Sequence, residues 1–227
     1  MQASDDTISK IQKDRQRTNL FRRHEQALIA FLVERMPNWI SSNNLTAIGF
    51  VGSIITAGSF VLAAYINKYL LLLGLFGLLL NWFGDSLDGR LAYYRNKPRK
   101  WYGFSLDFSV DWLTIILISF GFIIYAEGQL KFLGFGFAVF YAWAMITALL
   151  RYKLTGKYTI DSGLFGPTEV RVIIGAVLVL ECLFHNSILY SAALVCVFLL
   201  VVNIIDFRKL LCIADEKDKS ERENAQS

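Results

Sequence analysis

Two stretches of this chain, Leu45 to Ile66 and Phe132 to Leu150, contain no Asp, Glu, Lys, Arg or His. Apolar runs of about 20 residues match the hydrocarbon core of a bilayer, about 30 Å thick at 1.5 Å of helix rise per residue. Backbone in lipid must satisfy its own hydrogen bonds, so such runs are expected to fold as membrane-spanning helices. Composition agrees, since 55% of the 227 residues are hydrophobic and only 19% are charged, against about a quarter charged in soluble domains. These values exclude a disordered chain and argue against a soluble enzyme.

Windows of about 19 residues predict an all-α polytopic membrane protein with six transmembrane helices near 45–66, 69–92, 103–126, 130–150, 168–185 and 187–208. Residues 1–24 read as a basic polar segment, 25–208 as one membrane domain and 209–227 as a charged tail, expected to be disordered from Asp215. Leu28, Ile29, Phe31, Leu32 and Val33, set among Glu25, Glu34 and Arg35, suit an N-terminal amphipathic helix lying along the interface. Pro37 ends it, and Trp39 marks the approach to the bilayer. The first 44 residues are polar and basic without an apolar signal region, so the first span is expected to be retained.

Of the 23 Lys and Arg, 21 fall in 1–44, 90–100, 151–171 and 208–222, and only Lys68 and Lys131 fall on the other side. Basic loops stay inside, so both termini are expected in the cytoplasm, in a cell (inner) membrane. The net charge of +4 is a topology signal with contacts to membrane lipids, and no nucleic acid is needed to explain it. Cys182, Cys196 and Cys212 lack metal-ligand spacing, and His24 and His185 are the two histidines, so any metal must be held by oxygen.

Acids inside spans are costly and point to function. Asp85 and Asp88 are three apart on the second span, and Asp107 and Asp111 four apart on the third, so each pair shares a helix face. The loop between is short enough to make the helices antiparallel neighbours, which brings both pairs to one depth near the cytoplasmic surface. Four carboxylates together require a compensating charge, and oxygen ligands select hard divalent ions, Mg²⁺ first, then Mn²⁺ or Ca²⁺. Gly84, Gly89 and Gly103 lie beside the acids and would admit backbone or substrate closely, or serve helix packing.

The run Asp85-Ser-Leu-Asp88-Gly89-Arg-Leu-Ala92 followed by Gly103-Phe-Ser-Leu-Asp107-Phe-Ser-Val-Asp111 resembles the signature of the CDP-alcohol phosphotransferase (phosphatidyltransferase) family. Ser42-Asn43-Asn44-Leu45-Thr46-Ala-Ile-Gly49 and Gly166-Pro167-Thr168-Glu169-Val-Arg171 are similar to weaker family patterns, and the resemblance covers residues 25–208. It implies transfer of a substituted phosphoryl group from a CDP-linked donor, CDP-diacylglycerol first, to an alcohol acceptor, releasing CMP in phospholipid synthesis. It also implies a homodimer. Asp85, Asp88 and Asp107 would bind Mg²⁺ or Mn²⁺, and Asp111 would be the general base. Gly89, Ala92, Gly103, Asn43, Thr46 and Arg90 would border the donor, with Arg151, Lys153, Lys157 and Arg171 bordering the acceptor.

The sequence departs from the pattern at Tyr93, where the family has arginine, and at Ser42, where it has proline. Arg90 and Arg95 are the nearby cations, without the family's spacing. Two alternatives stay open: a CDP-choline or CDP-ethanolamine type of donor with a lipid alcohol acceptor, or, in another class, a divalent-cation transporter. Glu181, toward the opposite face, suits a packing role.

Overall fold

The computed structural model describes residues 22–156 and 167–226. Seven α-helices follow in order: α1 (Arg22–Glu34), α2 (Ser42–Tyr65), α3 (Leu72–Tyr94), α4 (Lys100–Tyr125), α5 (Leu133–Thr155), α6 (Pro167–Leu183) and α7 (Ser187–Gln226). Single 3₁₀ turns, Lys68–Leu71 and Gln129–Phe132, lead into α3 and α5. No strand occurs among the described residues.

Five helices, counted with their leading 3₁₀ turns, are long and apolar enough to cross a membrane: Ser42–Tyr65, Lys68–Tyr94, Lys100–Tyr125, Gln129–Thr155 and Ser187–Asn224. The segment expected as a span at 168–185 forms α6, whose 17 residues extend about 25 Å. Large apolar side chains cover the outside of the bundle, among them Phe76, Phe120 and Leu194, each more than half exposed. A continuous apolar exterior of this kind suits lipid rather than water.

Helices α2 and α3 meet at backbone distance. A Cβ built on Gly52 would lie 2.5 Å from the Asn81 nitrogen and the Gly77 oxygen, and one on Gly84 would strike Leu45 and Gly49. Small residues are what allow this approach in lipid, where packing rather than water exclusion holds helices together. Gly84 is therefore a packing residue. The hydroxyl of Thr56 reinforces the seam, donating to Gly52 O at 3.0 Å and Gly74 O at 3.3 Å.

Helix α4 packs on α2, α5 pairs with α7, and α6 bridges α3 and α7. Phe60, Leu78, Ile118, Phe122, Leu178 and Ile188 bring α2, α3, α4, α6 and α7 into one core. Around it, α1 buries Ile29 and Val33 against Leu45, Leu87 and Leu91, so part of its apolar stripe packs on protein, while Leu28 stays exposed. Arg95 holds the following turn, donating to the carbonyls of Met36, Pro37 and Ile40.

Two features depart from the sequence reading or sharpen it. Helix α7 does not end near 208 but continues through Gln226. No glycine or proline follows Gly175. The segment from Asp215 is rich in Glu, Lys and Arg, good helix formers that pair four residues apart, as Lys219 does with Asp215 at 2.8 Å. Lys217 also donates to Leu154 O at 3.3 Å. Glu181 is fully buried and caps the start of α7, accepting from the backbone N–H groups of Asn186 (3.1 Å) and Ile188 (2.8 Å), and from Tyr125 Oη (2.9 Å). Orphan N–H groups at a helix start need such an acceptor, and a carboxylate there also meets the positive end of the helix dipole.

Candidate functional site

Helices α3 and α4, expected from the short loop to be direct neighbours, make little contact with each other; both pack instead on α2, which stands between them and gathers acids from both. One carboxylate oxygen each of Asp85, Asp107 and Asp111 lies within 4.8 Å of the others, and all three residues are partly buried. By helix rise, Asp85 sits about 14 Å from the end of α3 and Asp107 about 10 Å from the start of α4, on the side of the α3–α4 loop. Three carboxylates this close repel one another unless a cation intervenes. Arg171 from α6 supplies part of that compensation, its Nη2 donating to Asp85 Oδ2 at 2.6 Å. Three hard oxygen donors at this spacing can hold a divalent metal ion.

Asp88 lies outside that group of three. Its Oδ2 accepts from Thr46 Oγ1 at 2.7 Å, its Oδ1 from the Gly89 backbone N–H, and its carbonyl from Ser42 Oγ at 2.7 Å. Ser42, where the resembled pattern has proline, thus ties the start of α2 to α3 through a hydroxyl that proline lacks. Ser41 caps α2 from outside, accepting from the Asn44 N–H at 3.2 Å.

A buried hydrogen-bond chain sets the position of Arg171. Thr114 on α4 shares a bond with Ser53 on α2 (2.7 Å), and Asn81 Nδ2 donates to Ser53 Oγ (2.9 Å) and Gly49 O (3.2 Å). Asn81 Oδ1 then accepts from Arg171 Nε at 2.6 Å. The chain runs from α4 through α2 and α3 to α6 and ends on Asp85. Arg171 Nη1 is buried without a hydrogen-bond partner, so its two N–H groups remain for an oxygen-rich ligand.

The other expected site residues separate into groups. Gly89 and Gly103 are exposed, and a Cβ added to either meets nothing within 4 Å. Asn43 joins neither the acids nor Arg171. It accepts from Arg99 Nη2 at 2.6 Å, donates to Tyr102 Oη at 3.4 Å, and the Arg99 guanidinium stacks 4.1 Å above the Tyr102 ring. Arg90 folds back on its own helix toward Ser86 O. Ala92 is half-buried one turn beyond Asp88, and Lys153 is exposed. Arg151 pairs with Asp206 on α7 at 3.9 Å. Lys157 lies outside the described residues.

Asp111 belongs to a second feature as well. With Tyr141, Arg151, Asn203 and Asp206 it lines one end of a cavity of about 220 Å³ enclosed mainly by α4, α5, α6 and α7. Asp111, Asp85 and Arg171 all act electrostatically on the Tyr141 hydroxyl. Sequence reasoning passed over Tyr141, Asp206, Asn81 and Arg99. For Asn81 a signal was present, since it precedes Asp85 by four residues and so shares its helix face. No protein-family model matches this chain, and a search of curated proteins finds no match.

Proposed function

We propose that this chain is an integral-membrane CDP-alcohol phosphotransferase, which moves a substituted phosphoryl group from a CDP-linked donor to an alcohol and releases CMP. The observation that carries this reading is the convergence of Asp85, Asp107 and Asp111 within 4.8 Å, with Arg171 seated on Asp85. With Asp111 kept as the base, Asp85 and Asp107 would hold Mg²⁺ or Mn²⁺, which would neutralise charge developing on the diphosphate. Arg171 Nη1 stands ready for a phosphate oxygen, a role suited to a planar guanidinium and one that offsets the arginine missing at position 93. Asp88, held by Thr46 and the Gly89 amide, stiffens the end of α3 and borders the donor. Asp111, shared between the acid cluster and the cavity, is placed to take the proton of the attacking hydroxyl. In this reading α6 is the fifth of six spans, α1 rests at the interface, and the acids and both termini face the cytoplasm.

A divalent-cation transporter also fits the acids, but it needs a polar path beyond them. The cavity adjoining Asp111 is lined mostly by apolar side chains. The deciding experiment incubates purified protein with labelled CDP-linked donors, a panel of alcohols and Mg²⁺, and measures CMP. Excess chelator is expected to abolish release, and Mg²⁺ or Mn²⁺ to restore it. Asp111→Asn keeps the shape but loses the base, so turnover should fall by about 10²-fold or more while donor still binds. Undiminished CMP release in chelator, or near wild-type turnover of Asp111→Asn, would overturn the assignment.

A further inference from the structure

The cavity that ends at Asp111 is long. Its walls run from Leu133 to Arg151 on α5 and from Ile188 to Asp206 on α7, about 27 Å along each helix, which approaches the hydrocarbon thickness of a bilayer. Its charged lining residues, Asp111, Arg151 and Asp206, all lie toward the end where α4 begins and α5 ends. Beyond them the walls are Ile118, Phe122, Phe137, Val177, Val195 and their neighbours. Apolar cavities of roughly 150 Å³ and above stay dry and accept hydrocarbon in place of water.

Of the four aspartates, Asp111 lines this cavity, while Asp85, Asp88 and Asp107 do not. The cavity therefore meets the acid cluster at the proposed base. Of the cations expected to border a phosphorylated acceptor, Arg151 lines the cavity, and it is paired with Asp206 at 3.9 Å. Arg171 is not among the cavity's lining residues, and Lys153 is exposed outside the lining.

We propose that the acceptor is a lipid alcohol, whose hydrocarbon chain lies in this cavity with its hydroxyl at Asp111, and that the polar headgroup travels on a water-soluble CDP-linked donor. This rests on the phosphotransferase reading above and selects between its two branches. In the reaction the lipid oxygen bonds to the donor's β-phosphorus. The bond from that phosphorus to the oxygen bridging it to CMP breaks, and CMP leaves with that oxygen. The hydroxyl proton passes to the Asp111 carboxylate. The product is a phosphodiester between lipid and headgroup, with no oxidant or reductant required.

The test uses purified full-length protein with Mg²⁺ in two arms. The first pairs CDP-ethanolamine, CDP-choline or CDP-glycerol with dioleoylglycerol, and the second pairs CDP-diacylglycerol with glycerol 3-phosphate, inositol or serine. CMP release in the first arm at 10-fold or more above the second is expected. Release confined to the second arm would overturn the lipid-acceptor assignment while leaving the reaction class intact, and release in neither would overturn both. Filling the cavity with Ala144→Phe should raise the apparent KM for dioleoylglycerol about 10-fold with donor binding unchanged. A photoactivatable diacylglycerol should crosslink to α5 and α7 and be displaced by dioleoylglycerol. Crosslinking that only CDP-diacylglycerol displaces would place the donor's chains there instead and overturn the proposal.

Discussion

Gly89 and Gly103 are residues for which folding and chemistry make opposite demands. A helical glycine costs up to about 1 kcal/mol relative to alanine, and nothing within 4 Å of either position requires the missing side chain. Gly84, only five residues before Gly89, is instead pressed against Leu45 and Gly49. The two therefore respond differently to the same change. Gly89→Ala should raise the thermal midpoint or leave it unchanged while lowering CMP release, because under the proposed function the added methyl would enter the space of the nucleotide. Gly84→Ala should lower the midpoint by separating α2 from α3. Melting in detergent alongside the CMP assay checks both. Wild-type kcat/KM in Gly89→Ala would show that the donor does not lie there. Sequence alone placed the three glycines together beside the acids, and only the neighbouring helix distinguishes them.

At the scale of helices, the acid cluster depends on a partner that the α3 and α4 sequences do not contain. Arg171 comes from α6, 86 residues from Asp85, and is aimed by Asn81. Removing Asn81 leaves Arg171 Nε without its bond, at roughly 1.5–3 kcal/mol for the charged interaction, while Ser53 keeps Thr114. Asn81→Ala should thus raise the Mg²⁺ concentration for half-maximal activity and lower turnover several-fold. Arg171→Gln should do the same, and the double variant should be little worse than Arg171→Gln alone, since both act through one group. Additive losses would separate Asn81 from Arg171. The i, i+4 relation of Asn81 to Asp85 was legible in the sequence. The bond from Asn81 to Arg171 was not, because no local spacing encodes which face of α6 meets α3.

For the whole molecule the open issue is the number of crossings. With α6 as an added span, both ends of the bundle's chain would lie on one side, and 21 of the 23 basic residues would then share that side. A 17-residue helix is short for a bilayer, but the buried Glu181 cap joins its end to the start of α7 and lets the chain reverse at once. In a background lacking Cys182, Cys196 and Cys212, a cysteine at Lys97 should be labelled only from the cytoplasmic side and one at His185 only from the opposite side. Labelling of both from one side would leave five crossings with the termini on opposite sides, and labelling of the cysteine at Lys97 from outside would overturn the orientation.

By itself the sequence determined that the chain is helical, that its apolar runs suit a membrane, and that two pairs of aspartates share helix faces. Those conclusions follow from local quantities: run length, helical period and the cost of charge in hydrocarbon. Tertiary structure decided which acids converge, drawing Asp85, Asp107 and Asp111 into one group and tying Asp88 to Thr46. It also decided that Arg171 reaches the acids, that Asp111 opens on an apolar cavity, and that α7 continues as helix past Asp215. The physical reason is common to the first three. Helix period states which residues share a face, but the rotation of each helix about its axis and the partner that face meets are set by packing, here by the glycine seam of α2 and α3, on which α4 and α6 pack.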